Sequence, residues 1–109
     1  MPAQPDREIT IASGQTASSV FGTGQGSRGA FQLPATMDGT SITIQVSNDA
    51  TNWTTCPIET SETNPRTTAA SGTYDFPIRA FSFKYIRLLH ATAQTTGTLP
   101  RVIPVFTRD

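Results

Sequence analysis

The sequence has very little of the side chains that build disulfides or metal sites. Among 109 residues there is one cysteine, Cys56, and one histidine, His90. A single cysteine cannot form an intramolecular disulfide, so the fold is not held together by one. A single histidine excludes a metal site made of several histidines. We therefore expect Cys56 to be an inert, partly buried thiol and His90 to be structural or exposed.

Charge of either sign is also scarce. Eight Lys and Arg residues balance eight Asp and Glu residues, which gives a net charge of zero. Binding to phosphate backbones needs a basic surface, so this balance argues against nucleic acid as a partner. No apolar run approaches the roughly 18 residues of a membrane helix. Residues 1–8 lack a hydrophobic centre, so we expect no signal peptide, no membrane contact and synthesis in a cytoplasm.

The sequence offers no constellation of side chains that suggests catalysis. Asp38 and Asp49 occupy turn positions, where aspartate serves the backbone. The glycine-rich segment 22–29 lacks the Lys-Ser/Thr ending of a phosphate-binding loop. Glu59 and Glu62 lie in a polar loop, where carboxylates are normally just solvated. We expect a protein that is not an enzyme, with no catalytic residue, no bound metal and no cofactor.

What the chain does contain is threonine, serine, glycine and proline, which suit strands joined by turns. Residues 41–47 alternate strictly between apolar and polar side chains, and residues 73–78 do the same, as half-buried β-strands do. Short strands with frequent turns predict an all-β fold, an antiparallel β-sandwich of two packed sheets. The expected core residues are Ile42, Ile44, Val46, Phe76, Phe83 and Ile86, with Trp53 near them.

Two segments leave alternatives open. Residues 81–89 read as the strongest strand, but Phe81, Phe83 and Tyr85 share one parity whereas Ile86 and Leu88 have the other. Either both faces are covered there or a β-bulge shifts the phase after Tyr85. The polar segment 59–72 exceeds the usual length of a connection, so we expect it to be functional or disordered.

The chain is short enough for one domain, which we place at residues 9–98, between extended terminal arms. Residues 1–8 are polar and broken by prolines, which predicts an N-terminal arm. Prolines 100 and 104 cannot donate ladder hydrogen bonds, so residues 99–109 are expected to form an edge strand or an arm on another subunit. The candidate partner-binding residues are Pro2, Pro5, Arg7, Arg101, Val102, Ile103, Val105 and Phe106.

Two stretches carry a resemblance to known families, residues 42–53 (ITIQVSNDATNW) and residues 78–88 (IRAFSFKYIRL). Over about residues 8–90, taken in order, the chain resembles small structural proteins of tailed phages. More distantly, the two stretches resemble discoidin-like jelly-roll binding modules. The resemblance is the reason to prefer jelly-roll topology. Position 50 is Ala where the pattern usually has Gly, which suggests a different turn type there.

The phage resemblance implies a virion protein that decorates, or cements, the capsid exterior. Its partners would be the major capsid protein and copies of itself, as a homotrimer. The alternative is a carbohydrate- or receptor-binding module of a tail or baseplate. Under that alternative Trp53 would stack on a sugar, although a buried core tryptophan is the expectation we favour.

Overall fold

The structure is a computed structural model that describes residues 7–24 and 26–108. One of its two sheets, sheet I, has four strands in the order β1-β9-β3-β7. These strands are β1 (Arg7–Ile11), β9 (Arg101–Arg108), β3 (Arg28–Gln32) and β7 (Thr73–Asp75). Arg7 and Glu8 therefore belong to a strand and not to an arm, while residues 1–6, with Pro2 and Pro5, lie outside the described residues.

Sheet II has five strands, in the order β2-β8-β4-β5, with β6 also paired to β4. They are β2 (Phe21–Gly22), β8 (Tyr85–His90), β4 (Ser41–Ser47), β5 (Thr54–Thr55) and β6 (Arg66–Thr67). All strand pairs in both sheets are antiparallel. The predicted all-β antiparallel sandwich is confirmed.

The core lies between the two sheets and follows the predicted alternation. Ile42, Ile44 and Val46 of β4 are buried, and the intervening residues of that strand are only partly so. The expected core residues Phe76 and Ile86 are buried too, whereas Phe83 is only partly buried against the core. Sheet I contributes a matching set of buried residues, namely Ile9, Ile11, Phe31, Leu33, Ile103 and Val105.

The prediction that residues 99–109 form an edge strand or an arm is wrong. β9 lies inside sheet I, paired with β1 on one side and β3 on the other. Pro104 is tolerated because its missing N–H faces β3 at the point where that ladder ends. The β3 ladder runs from Arg108 to Val105, while the β1 ladder includes Pro104 opposite Glu8. The proline therefore shortens one ladder and leaves the other intact.

The prediction of one continuous strand over residues 81–89 is also wrong in its first half. Ile78–Ser82 is a short 3₁₀ helix, and β8 begins only at Tyr85. The boundary between the two kinds of structure therefore lies before Tyr85, and the pairing with β4 runs on through Tyr85 and Ile86 without a bulge. Tyr85 is the first outward residue of β8, and Ile86 is its first buried one. Phe81 still packs beside the core, with its ring centroid 6.0 Å from that of Phe76.

The turn after β4 is built around Asp49. Its carboxylate accepts hydrogen bonds from the backbone N–H groups of Thr51 at 2.9 Å and Asn52 at 2.8 Å. These bonds lower the pKa of Asp49 well below its usual range, and the bond from the Asn52 N–H has the largest effect. Ala50 has φ 61°, so this residue does adopt the left-handed conformation that we expected alanine to avoid.

The long polar segment 59–72 is anchored to sheet II by one side chain. Asn64 accepts a hydrogen bond from the N–H of Ile44 at 2.8 Å and donates one to the Ile44 carbonyl at 3.0 Å. The amide thus pairs with β4 as a neighbouring strand would. Farther along, the segment contains β6. It is therefore an ordered part of the sandwich.

Candidate functional site

The structure divides the predicted partner-binding residues of β9 between the two faces of sheet I. Arg101, Ile103 and Val105 point into the sandwich and are buried. They are therefore not available to a partner, because successive strand residues point to opposite faces. Val102 and Phe106 point outward with Pro104, and Val102 is 41% exposed. We call Val102, Pro104 and Phe106 the outer stripe.

Arg101 has a structural task inside the fold. Its guanidinium donates to the carbonyl of Thr96 at 2.7 Å and to that of Leu99 at 3.0 Å. A carboxylate oxygen of Asp38 lies 3.7 Å from one of its nitrogens. Burying a charge is costly unless it is paired and hydrogen-bonded, and these contacts meet that requirement. Arg101 thus ties the loop before β9 to the rest of the sandwich.

Gln94 and Asp38 complete this buried polar cluster. The Gln94 side chain is fully buried, accepts from the N–H of Asp38 at 2.9 Å and donates to the Asp38 carbonyl at 2.9 Å. Hydrogen bonds from the side chain and backbone of Thr96 hold the pKa of Asp38 at about 2. Sequence reasoning missed this cluster, because nothing in a Thr-rich turn distinguishes a buried glutamine from an exposed one.

Arg7, the remaining predicted contact residue, is half-buried at the start of β1. Its guanidinium donates to the carbonyl of Gly22 and lies 5.7 Å from the centroid of the Phe21 ring. Both contacts join β1 of sheet I to β2 of sheet II. Arg7 therefore helps to close one side of the sandwich.

The outer face of sheet I carries an open cleft of about 650 Å³. Its apolar lining includes Phe106 of the outer stripe, Ala30 and Ile78, and the Ile78 side chain is 56% exposed. Arg28 and Arg108 line one part of the cleft and stand directly opposite each other on neighbouring strands. Like charges in that position repel. The carboxylates of Glu62 and Asp75 line the same cleft, so its charged rim carries both signs.

Most of these cleft residues were not predicted from the sequence, although a signal was present. Phe31 and Leu33 of the β3 region are apolar and two apart, which places them on the inner face. The same alternation puts Arg28, Ala30 and Gln32 on the outer face. Their contact with the outer stripe depends on the pairing of β3 with β9, which are far apart in the chain.

Trp53 does not lie in the core, contrary to the expectation that we favoured. It is partly exposed just before β5, and the guanidinium of Arg87 lies 4.4 Å from its ring centroid. Arg87 is held in turn by a 2.7 Å hydrogen bond to the side chain of Gln45. Arg87 and Gln45 point away from the core, so Trp53 stacks on the outer face of sheet II. One face of the indole is already occupied there by a cation.

The remaining reactive side chains are buried within the fold. The Cys56 thiol is buried and donates to the carbonyl of Pro57 at 3.2 Å, and burial raises its pKa to about 11. His90 is buried in β8, and its Nδ1 accepts from the N–H of Thr92 at 3.0 Å. Within residues 7–24 and 26–108, no three His, Cys, Asp or Glu side chains are grouped to hold a metal ion.

Comparisons with known proteins gave no relative for this chain. No family model, no curated protein and no solved structure matches it. In the part of the chain that the structure describes, no helix is long and apolar enough to cross a membrane.

Proposed function

We propose that this protein is a structural component of a phage virion, a decoration or cement protein on the capsid exterior. Its partners are the major capsid protein and other copies of itself, in a homotrimer. The observation that carries the proposal is the outer stripe, with Ala30 and Ile78 beside it. An apolar strip on the solvent side of a sheet, rimmed by charged residues, is typical of a protein–protein contact.

The strand order supports a jelly-roll topology for this domain. Strands β1 and β2, β3 and β4, and β7 and β8 are consecutive pairs whose members lie in different sheets. The orders 1-9-3-7 and 2-8-4-5 also place early strands beside late ones, which favours the winding of a jelly roll. Jelly rolls occur in viral capsid and lectin domains, so this topology is compatible with both roles and decides between neither.

The resemblance of residues 8–90 to small phage structural proteins points to the virion. The near-neutral surface points the same way, since a protein with little net charge is not kept apart from its neighbours by repulsion. A decoration protein acts collectively, because it binds the assembled capsid and not the separated subunits, which stabilises the assembly by mass action.

The alternative function, a carbohydrate- or receptor-binding module of a tail or baseplate, rests on Trp53. Its partly exposed ring lies on the outer face of sheet II, the face to which Tyr85 of β8 also points. An exposed face of an aromatic ring can stack on a sugar ring. The stacked guanidinium of Arg87 leaves at most one ring face for that purpose.

Capsids that lack the protein provide the test. We expect them to open at a lower temperature than complete capsids, and we expect adsorption to host cells to be the same for both. Equal opening temperatures would contradict the decoration role. Loss of adsorption, together with a glycan-array signal that disappears in a folded Trp53→Ala variant, would favour the carbohydrate module instead.

A further inference from the structure

The loop between β8 and β9, residues 91–100, is held to the sandwich by polar contacts. Gln94 is the one buried side chain in this segment, and Leu99, its one large apolar residue, is 74% exposed. The structure describes every residue of this segment, which we call the β8–β9 loop, and none of them belongs to the hydrophobic core. Segments that bury little apolar surface can open while the rest of a protein stays folded. The β8–β9 loop meets that condition.

Two anchors connect this loop to neighbouring turns. The backbone N–H of Gln94 donates to the carbonyl of Gln15, in the turn after β1, at 3.1 Å. The carboxylate of Asp38, in the turn before β4, accepts from the N–H groups of Thr95 at 2.6 Å and Thr96 at 2.8 Å. Hydrogen bonds from these two threonines, of which that from the Thr96 hydroxyl has the largest effect, hold the pKa of Asp38 at about 2. Asp38 therefore keeps its charge between pH 7 and pH 5.

The third anchor is the buried ring of His90, the last residue of β8. Its Nδ1 accepts a hydrogen bond from the N–H of Thr92 at 3.0 Å, so this nitrogen carries no proton while the loop is closed. Its Nε2 is buried as well and has no hydrogen-bond partner in the described part of the chain. A second proton therefore has to go onto Nδ1, where it breaks the bond to Thr92 and leaves a charge buried without an acceptor.

The charged groups around His90 do little to stabilise a charge on its ring. The segments that contact or flank this residue are residues 12–16, 37–47 and 91–100. Asp38 is the one charged residue in these segments, and it lies 3.7 Å from a guanidinium nitrogen of Arg101, which offsets its charge. Arg101, at the start of β9, and Arg66 of β6, two strands away in sheet II, are cations and oppose protonation. Burial lowers the pKa of His90, and the attraction of Asp38 opposes this only in part.

We propose that His90 is a pH-sensitive switch that holds the β8–β9 loop closed at neutral pH and releases it in acid. When Nδ1 takes up a proton, the hydrogen bond to Thr92 is lost and the ring moves out to water, which separates the loop from its two other anchors. The two sheets stay packed, because their apolar core contains no residue of the loop. The switch is a property of the free chain, so it goes beyond the proposed virion role and does not depend on it.

The size of the effect follows from proton linkage. A solvated histidine, as in the open loop, has a pKa of about 6.5, and the closed loop resists that proton. The open fraction therefore grows as the pH falls below that value, by up to about tenfold per pH unit. Between pH 7 and pH 5 the limit is about a 25-fold increase, which is reached when the closed form takes up no proton at all.

Hydrogen exchange of the full chain at pH 7 and pH 5, read amide by amide by NMR, tests the proposal. The rate of an unstructured peptide at the same pH, divided by the observed rate, gives a protection factor free of the intrinsic effect of pH. We expect protection at Thr92, Gln94 and Thr96 to fall between about fivefold and about 25-fold. At pH 5 it should also be at least about tenfold lower than at the core amides of Cys56 and Phe76, which donate to strand carbonyls at 2.9 Å.

His90→Asn is the variant that removes the titration and keeps an acceptor. Its side-chain oxygen stands near the position of Nδ1, so it can still accept from Thr92, but it takes up no proton. We expect protection of the loop in this variant to change less than about twofold between the two pH values. The same fall in variant and wild type would overturn the proposal. So would equal protection of loop and core amides in the wild type at pH 5, since acid would then open the whole fold and not the loop.

The wild type alone decides the question should His90→Asn fail to fold. His90 is the only histidine, so its ring signals need no further assignment. On acid titration the ring should gain its proton as the Thr92 amide loses protection, and before the core amides lose theirs. A ring that is protonated with the Thr92 bond intact, or only when the whole chain unfolds, would contradict the switch. The assay contains no capsid, so neither result affects the proposed virion role.

Discussion

At the scale of single residues, the burial of His90 makes the free energy of unfolding depend on pH. Its Nε2 is buried and has no hydrogen-bond partner in the described part of the chain, while its Nδ1 accepts a hydrogen bond and so favours the neutral ring. Desolvation lowers the pKa of His90, and the nearby carboxylate of Asp38 opposes this only in part. The folded chain therefore resists protonation of this ring.

The consequence is a prediction about acid. The unfolded chain takes up a proton at His90 near the ordinary histidine pKa of about 6.5, whereas the folded chain does so only at lower pH. The free energy of unfolding should therefore fall as the pH drops from 7 to 5. In the His90→Gln variant this dependence should largely disappear, even if the variant is less stable overall. Melting temperatures at the two pH values provide the measurement, and an equal fall in wild type and variant would contradict the assignment to His90.

At the scale of elements, the sequence predicts strands well wherever alternation alone determines burial. β1, β4 and the Tyr74–Phe76 alternation were found because one face of each is apolar. The 3₁₀ helix at Ile78–Ser82 was missed because Phe81 near its end stands two apart from Phe83, and Phe83 two apart from Tyr85, which imitates the alternation of a strand. The position of β9 was missed because a proline is acceptable inside a sheet when its ladder ends there, which only the pairing reveals.

The turn after β4 allows a prediction at the same scale. Ala50 has φ 61°, a conformation that costs a non-glycine residue about 1–2 kcal/mol, and glycine adopts it without that cost. Ala50→Gly should therefore leave the stability unchanged or raise it by about 1 kcal/mol, after the extra entropy of the unfolded glycine is subtracted.

Ala35→Gly is the matched control, because Ala35 is also exposed in a loop but does not have positive φ. That variant should be destabilised by a few tenths of a kcal/mol, up to about 1. Denaturant unfolding of both variants checks the difference. An Ala50→Gly protein that loses as much stability as Ala35→Gly would show that the turn relaxes around alanine.

At the scale of the whole molecule, the sandwich separates its stabilising residues from those available for contact. The sequence predicted which segment holds the candidate contact residues of β9, but it did not predict which face of sheet I each of them occupies. Arg101, Ile103 and Val105 turned inward, and Val102 and Phe106 turned outward. The parity rule could have made that division, had the segment been treated as a strand within a sheet and not as an arm.

The central claim, that the outer stripe binds the capsid, is tested most directly by co-sedimentation of the protein with capsids that lack it. Val102→Asp places a charge at one end of the apolar outer stripe, where contact with the capsid would bury it without a partner. Leu99→Asp makes the same change at a residue that is 74% exposed and lies before β9, outside the stripe. We predict saturable binding by the wild type and by Leu99→Asp, and at least tenfold weaker binding by a folded Val102→Asp protein. Binding of Val102→Asp with wild-type affinity would contradict the claim.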